Sequence, residues 1–407
     1  MQRPPESAQP GGPAGDEPHP DGARLGAPRD GRAPRVVERR SATQGLVDGA
    51  PCTLFAGCDY LGLSQHAEVR AAAVAAIERY GVASGASRAT SGTTQAHLAL
   101  EAALAEFLGV EAALVVEDGY VADLAVARGL ADEADLFFVD QDSHASLVDA
   151  ARLSGRSVQT YAGTDLTRLH ALLDRGRMAQ GRAVVMTDGV FTGNGRIAPA
   201  SDLLRLLPPN DTLVIDDSHA LGVLSDTGRG TLEVYGLRDP RIVVTSSLAK
   251  ALGAAGGVIA GSRERIERIR QRAAPYIATT ALNPASTGAA LAAVGVLQRD
   301  AERVERLRAN TGALHRMARR LGCAPRGTFL PVLRLVLEGD AAASDARLTE
   351  LSDALRHDAL YAPVIRYPGG GPAAQMRLTV CSEHTGDELA RLEAALSEHM
   401  PSNLYAI

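Results

Sequence analysis

Short apolar runs alternate with longer helical stretches along most of this chain, and that alternation sets the expected architecture. The runs are AALVVE (112–117), DLFFVD (135–140), AVVMTD (183–188), TLVIDD (212–217), RIVVT (241–245) and GVIAG (257–261). Continuous apolar strands separated by helices predict a mostly parallel sheet, buried on both faces and joined by right-handed crossovers. Ahead of them, AEVRAAAVAAIERYG (67–81) and QAHLALEAALAEFLG (95–109) are Ala/Leu-rich and end at Gly, which predicts two helices. From about residue 285 the texture shifts to longer Arg/Ala/Leu helices, NPASTGAALAAVGVLQRD and DAERVERLRANTGALHRMARRLG. LPVLRLVL (330–337), a helix near 344–356, QMRLTVC (375–381) and a last helix follow. The expected fold class is α/β: a large domain with a mostly parallel mixed sheet flanked by helices, plus a smaller α+β C-terminal domain. The expected divisions are a tail over 1–35, an N-terminal segment over 36–62, the large domain over 63–284 and the small domain over 285–407. The tail is rich in Pro, Gly, Asp and Arg and has few residues able to build a core, so it reads as disordered.

Composition narrows the function classes. A chain of 407 residues can bury a large core, and its apolar share of 45% is that of a soluble globular protein. No apolar run is long enough to span a membrane and the N-terminus has no hydrophobic leader, so a cytoplasmic protein without a membrane partner is expected. Cys52, Cys58, Cys323 and Cys381 are scattered without metal-like spacing and read as free thiols in a reducing compartment. A formal charge of −6 gives no reason to expect nucleic acid as a partner. The densest basic stretch, RERIERIRQR (263–272), interleaves Glu and reads as the wet face of a helix.

One residue type stands out. Lys250, in SSLAKALGAAGG (246–257), is the only lysine in a chain with 41 arginines. A guanidinium is always protonated, whereas a lysine amine can lose its proton when desolvated and attack a carbonyl to form a Schiff base. A lysine kept where everything else is arginine marks a place where arginine would fail. Its neighbours Leu248, Ala249, Ala251 and Leu252 are small or apolar, which argues against chance survival on a solvated face.

Ligands of open α/β sheets sit beyond the carboxyl ends of the strands. The polar residues that follow each run are Asp118, Gly119 and Tyr120; Asp142, Ser143 and His144; Asp188 and Thr192; Asp216, Asp217, Ser218 and His219; and Ser246, Ser247 and Lys250. One lysine, two histidines, a strand-end aspartate and several hydroxyls thus point to one rim. Taken singly, Asp216 could cap a following turn and His144 could be an ordinary first-turn residue. Asp216 and His219 could suggest a metal, but no further ligand lies at a recognisable spacing, so no metal is expected. GASRATSGTT (85–94) has the small residues of an anion-binding loop or of a plain loop, and YPGGGP (367–372) reads as a turn. The chain lacks Gly-Lys-Ser/Thr, a strand-flanked G-x-G-x-x-G and a G-x-S-x-G elbow. A Schiff-base lysine with an aspartate for a pyridinium nitrogen is the protein half of pyridoxal 5'-phosphate chemistry.

The segments DYLGL, SGTTQAHLALE, EDGYVADLAV, DSHASLVDAARLSG, TDGVFTGNGRIAP, DDSHALGVLSDTGRG, SLAKALGAAGG, YIATTALNPA and RLTVCSEHT carry a family resemblance. In their order and spacing the chain resembles the α-oxoamine synthases, pyridoxal-phosphate enzymes of the fold-type I aminotransferase superfamily. The likeness runs from about 59 to 396, and SRATSGTTQAH looks most like the 8-amino-7-oxononanoate synthases of biotin synthesis. The resemblance implies that 63–284 binds the cofactor, with Lys250 as its Schiff-base partner and later the carrier of the substrate's α-proton. It implies Asp216 on the pyridine nitrogen, His219 and Thr192 near the ring oxygen, and His144 stacked on the ring. The phosphate would lie on Ser247 and the backbone of Gly119 and Tyr120, with Thr280 reaching that of the neighbouring subunit of a homodimer. Arg377 would grip the amino-acid carboxylate. The implied activity is that of a C-acyltransferase: alanine, glycine or serine condenses with an acyl-CoA or acyl carrier protein thioester, with decarboxylation, to give an α-amino ketone. Three positions depart from the family pattern: Cys58 and Asp123 stand where asparagine is usual, and Asp118 where a small hydroxyl residue is usual. The alternatives are a glycine C-acetyltransferase, 5-aminolevulinate synthase or serine palmitoyltransferase type of activity, a non-catalytic scaffold, or a cofactor-free Schiff-base aldolase.

Overall fold

A computed structural model describes residues 35–178, 181–325, 327–366 and 374–406, so nearly all of the expected tail and the YPGGGP turn lie outside the described residues. The chain opens with strands β1 (Val37–Arg39), β2 (Gln44–Val47) and β3 (Ala50–Leu54), then helices α1 (Ala67–Tyr80) and α2 (Gln95–Leu108). Next come β4 (Ala112–Val116), α3 (Gly119–Leu130), β5 (Leu136–Asp140), α4 (Ala145–Leu153), β6 (Ser157–Tyr161) and α5 (Leu166–Met178). After β7 (Ala183–Asp188) the short pair β8 (Val190–Phe191) and β9 (Arg196–Ile197) precedes α6 (Ala200–Leu206). β10 (Thr212–Asp216), α7 (Thr231–Tyr235), β11 (Ile242–Ser247) and β12 (Gly257–Gly261) complete the alternating region. Helices α8 (Arg263–Arg272), α9 (Ala274–Ile277), α10 (Pro284–Arg299) and α11 (Glu302–Arg320) follow. The chain ends with β13 (Val332–Leu337), α12 (Ala341–His357), β14 (Leu360–Tyr361), β15 (Val364–Ile365), β16 (Gln375–Thr379), α13 (Gly386–His399) and β17 (Leu404–Ala406).

All six apolar runs are strands of one sheet, in the order β4-β12-β11-β10-β7-β5-β6. The sheet is parallel except for β12, which runs antiparallel to β4 and β11. The exception has a local cause. A parallel neighbour needs a long crossover, but residues 248–256 fold back at once. Leu248 N–H donates to the Gly256 carbonyl at 2.9 Å and Gly253 N–H to that of Lys250 at 3.0 Å. Gly253 makes this possible: its φ is +63°, and a Cβ there would sit 2.2 Å from the Ser64 nitrogen. The run SVQTY of β6 carried no strand signal because it is an edge strand whose residues are largely exposed.

The two faces of the sheet bury different layers. Leu114, Val139, Met186, Val214, Val243 and Ile259 pack against Ala122 and Val126 of α3, Leu147 of α4, and Ile266 and Ile269 of α8. Phe138, Val185, Leu213, Ile215 and Val244 face the other way, onto Leu169 and Leu173 of α5 and Leu203 of α6. Each such side chain, fully buried, contributes roughly 1.5–3 kcal/mol. RERIERIRQR is a wet helix face except at Ile266 and Ile269, which are its core contacts.

A second sheet, β15-β16-β13-β17, has its own core, in which Leu333, Leu335 and Leu378 meet Leu314 of α11, Leu348, Leu351 and Leu355 of α12, and Leu392 of α13. Strand β17, after the helix expected to be the last element, pairs with β13. β3 pairs in parallel with β14, and Phe55 just beyond it joins the core of the second sheet. That pairing carries Cys58 and Tyr60 towards β16. Among the described residues no helix is long and apolar enough to cross a membrane.

Candidate active site

The strand pattern itself builds the site. Residues in register on parallel strands point to the same face, and alternate residues along a strand share it. Met186, Val214 and Val243 face α3, so two residues on Asp188, Asp216 and Thr245 face it as well. These three are register partners at the carboxyl ends of β7, β10 and β11, and they form a polar row across the sheet. Asp217, one residue further, points away from the row. Its carboxylate accepts hydrogen bonds from the Thr231 N–H at 2.8 Å and the Thr231 hydroxyl at 2.5 Å, yet burial still pushes it up to about 7. Only the first aspartate of DDSH therefore enters the site.

Helices α3 and α4 close over the row. Asp123 of α3 accepts from the Thr245 hydroxyl at 2.6 Å. His144 caps α4, and its backbone N–H donates to Asp188 at 3.0 Å. Asp216 accepts the Ser218 N–H at 2.8 Å, so it caps the turn after β10 as well as standing in the row. Asp123, Asp188 and Asp216 are 0%, 8% and 8% exposed. Burial first, and the charge of Asp216 second, push Asp123 and Asp188 well above the usual carboxylate range. The His144 Nδ1 accepts from the Ser146 N–H at 3.3 Å, which leaves the ring proton on Nε2; burial lowers its pKa, opposed by the charge of Asp216.

Lys250 sits in the return between β11 and β12. It is partly buried, and its side-chain ammonium makes no hydrogen bond or ion pair among the described residues. Its charge acts on His144, His219, Asp123 and Asp188, so it lies near the row. Beside it, the first N–H groups of α3, at Gly119 and Tyr120, have no partner inside the helix. A Cβ on Gly119 would lie 2.8 Å from the Ser247 Cβ, and one on Gly257 2.0 Å from the Asp118 carbonyl oxygen. Glycine at both positions lets the α3 terminus press against β11 and β12. The Ser247 hydroxyl oxygen accepts from Ala249 N–H at 3.2 Å, so its own proton is free to be donated. The Asp118 carboxylate caps α3 by accepting from Val121 N–H at 2.8 Å. The Tyr120 phenol donates to Asp149, which pushes it up to about 12.

Arg377 arrives from the second sheet. Its Nη2 lies 3.4 Å from the Tyr60 hydroxyl and 3.2 Å from the Cys58 sulfur. The Tyr60 hydroxyl is in turn 2.8 Å from the His219 Nδ1. Arginine can only donate, so the phenol oxygen accepts from Arg377 and its proton is available to His219 Nδ1. The ring proton of His219 is then on Nε2. Burial, with Lys250, Arg377 and His144 nearby, holds the His219 pKa well below its usual value, so the ring is neutral. The sequence reading gave no role to Tyr60 or Asp188. Tyr60 lies within DYLGL, and its burial at 1% exposure beside a polar junction arises only from tertiary packing.

Thr192 lies in the turn after β8, where Arg334 Nη1 donates to its carbonyl at 3.3 Å. Thr280 is exposed in the loop after α9, and its expected target belongs to a neighbouring subunit. GASRATSGTT is a loop held by the buried Arg88–Glu101 pair at 3.0 Å. Among the described residues no group of His, Cys, Asp and Glu could hold a metal ion.

The profile of the family described as aminotransferase class I and II matches residues 50–396. The chain belongs to that family. Within it the chain is an α-oxoamine synthase. It is 38% identical over 369 residues to the 8-amino-7-oxononanoate synthase of Methylococcus capsulatus, covering 90% of this chain and 94% of that one. It is 37% identical to the enzyme of the same name from Thioalkalivibrio sulfidiphilus, covering 91% and 93%. Among solved structures it resembles serine palmitoyltransferase from S. paucimobilis with a bound PLP–myriocin aldimine, with a TM-score of 0.82, 26% identity, and 89% and 92% of the two chains covered. It also resembles the 8-amino-7-oxononanoate synthase of Francisella tularensis, with a TM-score of 0.71, 25% identity, and 85% and 97% covered.

The residues present fit pyridoxal phosphate. The α3 terminus, Ser247 and the two glycines that bring them together form a cradle that a Cβ would fill. A lysine whose ammonium has no hydrogen-bond partner among the described residues lies near a row of strand-end carboxyl groups, and an amine with a carboxylate is the set the group needs. On the carboxylate-binding role that the family resemblance implies for Arg377, replacing it with Lys is expected to raise KM for the amino acid about 100-fold with a smaller change in kcat, because a bidentate pair would become a point contact. Steady-state kinetics with varied amino acid check this.

Proposed function

We propose that this chain is a pyridoxal-phosphate-dependent C-acyltransferase of the 8-amino-7-oxononanoate synthase type, taking alanine and a pimeloyl thioester. The products are an α-amino ketone, carbon dioxide and a free thiol. The observation that carries the reading is the sole lysine, its ammonium without a hydrogen-bond or ion-pair partner among the described residues, beside the buried strand-end carboxyl row. When bound, pyridoxal phosphate supplies an electron sink for the α-carbon of the amino acid.

The rest is the work of the chain. Lys250 would hold the cofactor through Nζ, and its neutral amine would take and return the α-proton of the amino acid. Asp216 keeps a proton on the ring nitrogen. His219 would donate from Nε2 to the ring oxygen, a role that Thr192 would share. His144 covers the ring face. Ser247 and the N–H groups of Gly119 and Tyr120 hold the phosphate at the helix terminus. Arg377, positioned by Tyr60, binds the amino-acid carboxylate. The working unit is a cytoplasmic homodimer in which Thr280 completes the phosphate site of the partner.

Identity of 37–38% over about nine-tenths of the chain to proteins named 8-amino-7-oxononanoate synthase favours alanine. Purified protein supplied with alanine, glycine or serine and with pimeloyl, acetyl, succinyl or palmitoyl thioesters tests this. Fastest thiol release is expected for alanine with pimeloyl thioester, on CoA or on acyl carrier protein. No thiol release with any pair would overturn the synthase reading.

A further inference from the structure

Asp123 is a buried ionisable group that the reaction above does not use. It is fully buried on α3, above the row formed by Asp188, Asp216 and Thr245. One carboxyl oxygen, Oδ1, accepts the Thr245 hydroxyl at 2.6 Å. The other, Oδ2, is buried and has no partner in hydrogen-bonding geometry, although the Ser146 hydroxyl acts on the same carboxyl. A bare carboxylate oxygen in a dry interior is costly, while a protonated one is a donor beside two further carboxyl groups.

Like charges in so small a space cannot all ionise, and the hydrogen bonds decide which one yields. Asp216 accepts a backbone N–H from Ser218 and Asp188 accepts one from His144, and such bonds favour a carboxylate. Asp123 has a hydroxyl donor and no backbone N–H. We propose that Asp123 is a neutral carboxylic acid in the working protein, and that its proton makes it a positioning residue that keeps the negative charge of the row on Asp216. A second carboxylate above Asp216 would attract the ring proton to the wrong place and repel the charge that must face the ring nitrogen.

The surroundings hold no cation that would reverse this. β10, β7 and the return after β11 contribute Asp216, Asp188 and Lys250, and Lys250 is the positive charge that acts on Asp123. Ser146 faces it from α4, with His144 bonded to that hydroxyl. Tyr120, one turn earlier on α3, donates to Asp149 of α4. β4, β12 and α8 present the apolar Leu114, Val116, Ile259, Ile266 and Ile269. Tyr276 of α9 is turned towards Arg88 and Arg270.

The positioning role rests on the cofactor reading, but the proton does not, so two measurements separate them. The infrared difference spectrum of the purified full chain, wild type minus D123N, is expected to contain the carbonyl stretch of a protonated carboxyl at neutral pH. An acid neutral when folded but ionised when unfolded loses stability as pH rises above the unfolded value, about 4. The Tm of wild type is therefore expected to fall more steeply between about pH 5 and about pH 8 than that of D123N. For positioning, D123N is expected to keep cofactor affinity within about 3-fold, since its amide also donates, while D123A loses about 10-fold or more. Absence of the carbonyl band, or equal pH slopes, overturns the neutral acid. Equal affinity losses in D123N and D123A overturn the positioning role, and if D123A does not fold, a loss above 3-fold in D123N does so alone.

Discussion

Lys250→Arg is expected to remove the visible absorption of the holoprotein and to lower turnover by at least about 10³-fold, close to 4 kcal/mol of barrier. The reason is chemical rather than steric. Arginine keeps the positive charge and much of the length of lysine, so attraction to the acidic row survives, and pyridoxal phosphate is still expected to bind through its phosphate. What disappears is an amine able to give up its proton, first to bond a carbonyl carbon and later to act as a base. The position is sensitive because the backbone cannot adjust: the return carrying Lys250 is fixed by the Leu248–Gly256 and Gly253–Lys250 hydrogen bonds. Spectra recorded with and without added pyridoxal phosphate, paired with a thiol-release assay, check both parts. A variant with an unchanged visible band would remove Lys250 from its central role.

Asp216→Asn is expected to be the next most damaging change, at about 10²–10³-fold in kcat, while the fold is retained. Asparagine is nearly isosteric and can still accept the Ser218 N–H, so the strand end should keep its shape. It removes the charge that holds a proton on the ring nitrogen in a site where low dielectric makes that charge worth more than in water. The two neighbouring carboxyl groups do not replace it. Asp123 and Asp188 are held well above the usual carboxylate range by burial and by Asp216 itself, and neither lies at the same place in the row. Loss of Asp216 should also relieve both of them, so the thermal stability of Asp216→Asn at alkaline pH should fall less than that of wild type. Circular dichroism melts across pH, set beside kcat, separate this from general unfolding. Retained turnover within about 3-fold would exclude Asp216 as the charge on the ring nitrogen.

Much of the site was legible before any coordinates, because the sequence encodes it locally. Each apolar run ends where the chain leaves the sheet, and in an open α/β sheet that end faces the ligand. Asp216, His144, Ser247 and Lys250 could therefore be placed on one rim from run boundaries alone. The lone lysine was visible as composition. Strand β6 was not visible, because an edge strand needs no continuous apolar run. β12 was readable as a strand but not as the inverted one, since its direction depends on how tightly Gly253 lets the chain return.

The sequence by itself determined the alternation of strands and helices, the chemistry gathered at the strand ends, and the one amine in a chain of guanidinium groups. Only the tertiary structure decided that Asp216 and not Asp217 enters the site, that Asp188 and Thr245 share its row, and that Asp123 lies buried above it. It also brought Tyr60 and Arg377, 317 residues apart, to one junction with His219. The physical reason is that periodicity fixes which face a side chain takes within its own element. Which element lies across from it, and in what register, is set by strand pairing and packing between segments distant in sequence.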